Sequence, residues 1–145
     1  NIAKSFTLRV EHTGGKIYTE IEAIDSAIFV DEMHFQNVIF NLMDNAVKYR
    51  KQDKPIDIYL RTWNDNDHLY LSVRDTGLGI KKENLKKIFD KFYRVHTGNV
   101  HDAKGFGLGL AYVHKVVDLH DGEIKVESEY GKGTMFTIKL PVIKD

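Results

Sequence analysis

Apolar and polar residues alternate at Phe6, Leu8 and Val10, and again at Ile17, Thr19 and Ile21. This is the period of a half-buried strand. The segment His12 to Lys16, with Gly14 and Gly15 inside it, reads as a turn, so the first stretch predicts a hairpin. The period then changes. Asp31 is a candidate cap, and Phe35, Val38, Ile39, Leu42, Met43 and Ala46 recur at helical spacing, predicting a long helix to about Tyr49. Ile56, Ile58 and Leu60 predict a strand after Pro55, and Leu69, Leu71 and Val73 a second beyond the polar turn at 64–67. Leu85, Ile88, Phe89 and Phe92 mark a short amphipathic helix, and residues 94–105, without periodicity, read as a loop. A glycine-rich segment at 105–109 opens a helix through about Leu119, which Asp121-Gly122 can end. Ile124 and Val126, then Phe136, Ile138 and Leu140, mark two last strands joined at Gly131-Lys132-Gly133. About five strands and three helices result. They do not alternate strictly, so the expected fold is a two-layer α/β (α+β) sandwich, a mixed sheet with helices on one face, rather than a doubly wound parallel sheet.

Composition narrows the chemistry. The 145 residues are expected to form one domain, 1–145. Lys+Arg and Asp+Glu are both 21, and this balance points to neither nucleic acid nor an anionic membrane surface. Cysteine is absent, which excludes disulfides, thiolate metal sites and a cysteine nucleophile. No apolar run approaches a membrane span, so no membrane contact is expected of this domain. The chain opens at Asn1 and reads as an excised domain.

Three segments carry candidate chemistry. On the long helix His34, Asn37, Asn41, Asn45 and Lys48 fall within one arc at 100° per residue. Asparagine is a poor helix former. The arc is either a polar face with incidental asparagines or a row of amide oxygens turned to a cation, with an ammonium beside it. Sparse oxygen ligands suit Mg²⁺. Asp75-Thr76-Gly77-Leu78-Gly79-Ile80 directly follows a strand. A dinucleotide fingerprint would need glycine where Lys82 stands. What remains is a tight turn, or a backbone closing on a flat ligand whose exocyclic amine donates to Asp75. Gly105-Phe106-Gly107-Leu108-Gly109-Leu110 is either a hinge or a set of N–H groups at a helix start aimed at phosphates. It lacks the Gly-Lys-Ser/Thr ending of a Walker loop.

In their order and spacing these segments resemble sensor histidine kinases. Asn41 to Tyr49 is similar to the family's N box, Asp75 to Ile80 to its G1 box, Ile88 to Arg94 to its F box and Gly105 to Leu110 to its G2 box. Gly131 to Phe136 resembles the closing Gly-Thr motif. The resemblance covers essentially the whole chain. The F box separates it from other ATPases of the same GHKL superfamily, which is one alternative; a degenerate, non-catalytic interaction module is another.

The resemblance implies the Bergerat fold and an ATP site. Asn45 is the implied Mg²⁺ ligand, with Asn41 one turn before it. Lys48 should meet phosphate and Tyr49 should lie by the adenine. Asp75 should accept from the adenine amine, with Gly77, Gly79 and Ile80 shaping the pocket and Thr134 near the base. Tyr93, Arg94, Lys104, Gly105, Phe106, Gly107, Leu108, Gly109 and Leu110 complete the implied ATP-binding set, with Arg94 and the lid through Lys104 candidates for phosphate contact or for docking the partner domain. Phe106 departs from the small residue often found between the first two glycines of that box. His34, His96, His101, His114 and His120 lack the neighbours of a phospho-acceptor histidine, so the nucleophile is expected on a separate dimerisation domain of the same protein. A response regulator would then receive the phosphoryl group. By family analogy this is a cytoplasmic domain of an inner-membrane-anchored parent, and the fragment itself is expected to be a monomer.

Overall fold

The computed structural model describes residues 2–22, 32–51, 54–85, 87–89 and 109–141. In order they form α1 (Ile2–His12), β1 (Ile17–Ile21), α2 (Glu32–Lys48), β2 (Ile58–Asn64), β3 (His68–Asp75), a 3-10 turn (Lys82–Asn84), α3 (Gly109–Leu119), β4 (Glu123–Glu129) and β5 (Gly133–Pro141). The five strands make one mixed sheet in the order β1-β2-β3-β5-β4. β1 runs parallel to β2 and every other neighbour is antiparallel.

Register sets which side chains share a face. Leu60 stands opposite Val73, which stands opposite Phe136, which stands opposite Val126. Residues two apart along a strand point the same way, so Ile58, Leu71, Ile138 and Leu140 join them under the helices. They form one core with Val10 of α1, Val38, Leu42, Met43, Ala46 and Val47 of α2, and Val113, Val116 and Val117 of α3. At about 25 cal/mol per Å² of apolar surface removed from water, this single helix–sheet interface is the main stabilising contact of the fold. The opposite face carries no helix among the described residues. It holds two stacked aromatic pairs, Tyr18–Tyr59 and Trp63–Tyr70, with Arg74 over the Tyr59 ring and Arg61 over Trp63.

Two expectations change. The predicted first strand is α1, and no hairpin precedes β1. Ile2, Phe6 and Val10 are also spaced four apart, and the helical period wins. Val10 is fully buried whereas Leu8, which a strand would place on the same face, is 80% exposed. The predicted hairpin turn is a helix end. The Thr13 and Gly14 amides donate to Val10 and Glu11 carbonyls, and Gly14 takes φ +93°, the left-handed stop that glycine tolerates. The freed β1 pairs with β2 instead. Secondly, the amphipathic segment from Leu85 is not helical through Phe89. The Asn84, Leu85 and Lys87 amides bond three residues back, giving tight turns that still bury Ile88. Such a short segment gains too few bonds to nucleate a regular helix. Phe92 lies outside the described residues.

Candidate functional site

The candidate site gathers where the C-terminal half of α2, the end of β3 and the β4–β5 turn converge. On α2 the apolar stripe turns Val38, Leu42, Met43 and Val47 into the core. That leaves Asn41, Asn45 and Lys48 half-buried along its edge. The Asn41 side-chain N–H donates to the Asn37 carbonyl at 2.7 Å, so the amide oxygen is the end left free to accept. That oxygen faces the start of α3: a Cβ on Gly109 would stand 3.0 Å from it. Lys48 pairs with Asp44 at 2.9 Å, and Asp44 also holds Arg9 of α1 at 3.2 Å. The residues fit Mg²⁺ in one specific way. No group of three or more His, Cys, Asp or Glu side chains that could cage a metal occurs among the described residues. The donor set is one or two amide oxygens from Asn41 and Asn45, which suits a hard cation that keeps waters and takes its remaining ligands from phosphate.

Asp75 ends β3 on the apolar face and is only 9% exposed. A carboxylate there needs donors. The Gly77 N–H supplies one at 2.8 Å, and the Thr134 backbone N–H a second. Burial dominates these, pushing the Asp75 carboxyl up to about 6, while the two N–H donors pull the other way. The turn after Asp75 is bolted to its surroundings. The Leu78 N–H donates to the Tyr49 carbonyl beyond the end of α2, the Gly131 N–H to the Leu78 carbonyl, and the Ile80 N–H to Ser128 Oγ. Gly77 has no alternative. A Cβ there would sit 2.9 Å from both Asp75 Oδ1 and the Tyr49 carbonyl oxygen. At Gly79 φ is +75° and a Cβ would strike the Glu129 carbonyl.

Of the residues singled out by sequence, Asp75, Gly77, Gly79, Ile80 and Thr134 come together around this turn. Thr134 is buried and stands directly opposite Asp75 in register. Asn41, Asn45, Lys48 and Tyr49 share the adjoining end of α2, and Gly109 and Leu110 begin α3. Tyr93, Arg94, Lys104, Gly105, Phe106, Gly107 and Leu108 lie outside the described residues, as do His34's side chain, His96 and His101. Two residues escaped the sequence reading. Asp44 holds Lys48, a pairing that i,i+4 spacing could have shown. Ser128 takes the Ile80 amide and touches Thr134. It continues the Ile124, Val126 alternation and so had to face inward. The arrangement offers a buried acceptor at one end and amide oxygens with an ammonium at the other. A ligand bearing an amine on a flat ring and a polyanion on its tail matches both.

Comparison with known proteins bears on the family and the fold. Residues 30–144 match the family model described as histidine kinase-, DNA gyrase B-, and HSP90-like ATPase. The sensor protein RprX of Bacteroides fragilis is 58% identical over 144 residues, covering 99% of this chain and 28% of RprX. The sensor histidine kinase RcsC of Escherichia coli K12 is 39% identical over 127 residues, covering 87% of this chain and 13% of RcsC. The chain therefore spans less than a third of these relatives. Among solved structures, full-length ShkA in complex with AMPPNP superposes with a TM-score of 0.82 at 25% identity, covering 99% of this chain and 29% of that one. The catalytic domain of the histidine kinase ThkA gives 0.80 at 24% identity, covering 97% and 88%; that likeness bears on the fold alone.

Proposed function

This chain belongs to the family of histidine kinase-, DNA gyrase B- and HSP90-like ATPases, and from that premise we propose that it is the ATP-binding catalytic domain of a sensor histidine kinase. It binds ATP, delivers the γ-phosphoryl group to a histidine on the dimerisation domain of the same protein, and so feeds a response-regulator aspartate. Residues 1–145 act as one domain, cytoplasmic in a membrane-anchored parent. Among the described residues no helix is long and apolar enough to cross a membrane.

The observation that carries the reading is Asp75. A carboxylate with 9% exposure stays costly to bury even with the Gly77 and Thr134 N–H groups donating to it, and a further donor lowers that cost. An adenine amine is such a donor, and guanine offers a carbonyl at the same place. The other residues follow from ATP's shape. Gly77 and Gly79 let backbone approach the ring, and Tyr49 borders it. Asn45, with Asn41 beside it, holds Mg²⁺, which neutralises phosphate charge when bound. Lys48 exchanges its Asp44 partner for phosphate oxygens. Gly109 and Leu110 set the start of α3 beside Asn41, toward the same phosphates, and the family resemblance assigns Tyr93, Arg94, Lys104, Gly105, Phe106, Gly107 and Leu108 to that ATP-binding set. Phosphoryl transfer asks mainly for such positioning and charge neutralisation.

Titration of the chain with ATP and with GTP, each with Mg²⁺, tests this. ATP binds and GTP does not. With labelled ATP alone the chain gains no stoichiometric phosphate, because its acceptor lies elsewhere. Binding of neither nucleotide refutes the ATP site, and stoichiometric self-labelling refutes the assignment of the acceptor to another domain.

A further inference from the structure

Ser128 lies on β4 directly opposite Thr134 of β5, and Thr134 lies opposite Asp75 of β3. These three make one polar end of the sheet face that the helices cover. Ser128 Oγ has three partners. It accepts the Ile80 N–H at 2.7 Å, it lies 2.9 Å from the Gly133 carbonyl oxygen, and it lies 2.8 Å from Thr134 Oγ1. A hydroxyl has one hydrogen and two lone pairs. The Gly133 carbonyl can only accept, so it takes the Ser128 hydrogen. The Ile80 amide occupies one lone pair. The contact with Thr134 is then a hydrogen bond only if Thr134 donates into the second lone pair. One proton assignment satisfies all three contacts, and it spends the Thr134 hydrogen on Ser128. The Thr134 oxygen is left able only to accept.

We propose that Ser128 is a positioning residue for base selection: by engaging the Thr134 hydrogen it makes Thr134 a pure acceptor beside the Asp75 carboxylate, so the pocket takes 6-aminopurine nucleotides and repels 6-oxopurine ones. This rests on the ATP site proposed above. A 6-amino group donates toward acceptors. A 6-carbonyl brings its own lone pairs against both of them, and discrimination built from repulsion of the wrong ligand is as effective as attraction of the right one. Ser128 touches no base. It acts through the direction of a neighbour's proton.

The test compares the dissociation constants of ATP and inosine triphosphate, both with Mg²⁺, by calorimetry. Inosine triphosphate differs from ATP at the purine 6-position and the adjacent ring proton, so it isolates this edge. In Ser128→Ala the Thr134 hydroxyl is released to donate to a 6-carbonyl, and the preference for ATP narrows by roughly tenfold. Ser128→Thr keeps the hydroxyl and keeps the preference. In a Thr134→Val background Ser128→Ala leaves the preference unchanged, because the residue it acts through is gone. Ser128→Cys, close in volume but weak as a hydrogen-bond partner, carries the same expectation as alanine should the alanine chain lose its fold by circular dichroism. If Ser128→Ala weakens both nucleotides by the same factor, or shifts the preference equally in the Thr134→Val background, Ser128 merely braces the loop and the proposal is wrong. If the unsubstituted chain binds ATP and inosine triphosphate equally, the site reads no 6-position and the proposal fails while ATP binding stands. If it binds neither, the ATP site itself fails, and this inference with it.

Discussion

Asp75→Asn should make the free protein more stable and worse at binding ATP. The carboxyl titrates at about 6 in the folded chain against 3.8 in solution. At about 1.4 kcal/mol per pH unit, ionised Asp75 costs the empty fold ~3 kcal/mol. The sign follows from proton counts. Between 3.8 and about 6 the folded chain holds a proton that the unfolded chain has lost. The associated stability is fully present below the unfolded value and is lost as pH rises through about 6. Asparagine does not titrate, and its carbonyl oxygen can still accept from the Gly77 and Thr134 amides. Urea unfolding of both proteins without nucleotide at about pH 4 and about pH 8 gives two differences. Relative to the asparagine variant, the native chain should lose up to ~3 kcal/mol between those two pH values. Any packing change common to both pH values cancels. ATP affinity should fall by about 10- to 150-fold in the variant, the cost of roughly 1.5–3 kcal/mol for one charge-assisted hydrogen bond. The native chain's ATP affinity should itself decline below about pH 6, where the carboxyl takes up a proton. A stability difference that is flat with pH would refute the claim that the ionised carboxylate is held at a cost.

Three further outcomes follow from the same structure. Gly77→Ala should cost ~1–3 kcal/mol in urea unfolding and abolish ATP binding, because its Cβ would press on the Tyr49 carbonyl oxygen and Asp75 Oδ1, with the Arg50 Cα just behind. Lys48→Ala should lower ATP affinity at least roughly tenfold while leaving adenosine affinity unchanged, with under about 1 kcal/mol change in stability since its ion pair with Asp44 is partly exposed; an equal loss for adenosine would deny it a phosphate role. Leu8→Asp should be neutral within ~0.5 kcal/mol and Val10→Asp should cost ~3 kcal/mol or more. Equal effects at the two positions would place them on one face, as in a strand.

What the sequence revealed divides along a physical line. Positions where only one residue type works were legible. Gly77 has no room for a side chain, and Asp75 is a carboxylate that no packing argument would put inside. The strands β2, β3, β4 and β5 were legible too, because each alternates over enough residues to exclude a helix. The first segment was not. Phe6, Leu8 and Val10 satisfy one period while Ile2, Phe6 and Val10 satisfy another, and the arbiter is β2, which offers its edge to Ile17 and Tyr18 from far along the chain. The segment after Leu85 failed for a related reason: its apolar spacing was right for burial, and Ile88 is buried, but burial does not require a regular helix. Ser128 was invisible as chemistry because its role comes from what stands opposite it, not from its neighbours in sequence.

The parallel edge of the sheet has a kinetic consequence. β2 with β3, and β4 with β5, are joined by short turns, so their contacts close small loops and form early. β1 meets β2 only after the whole of α2 has been laid between them, and that closure entropy is unpaid until the core exists. β1 should therefore be the last strand to dock and the first to exchange its amide hydrogens with solvent. It is held at one end by the Lys16 N–H on Asp57 Oδ1 and at the other by the Glu22 N–H on the Thr62 carbonyl. When those two end bonds and the ladder between them open together, the β2 edge is bared as a template for another extended chain.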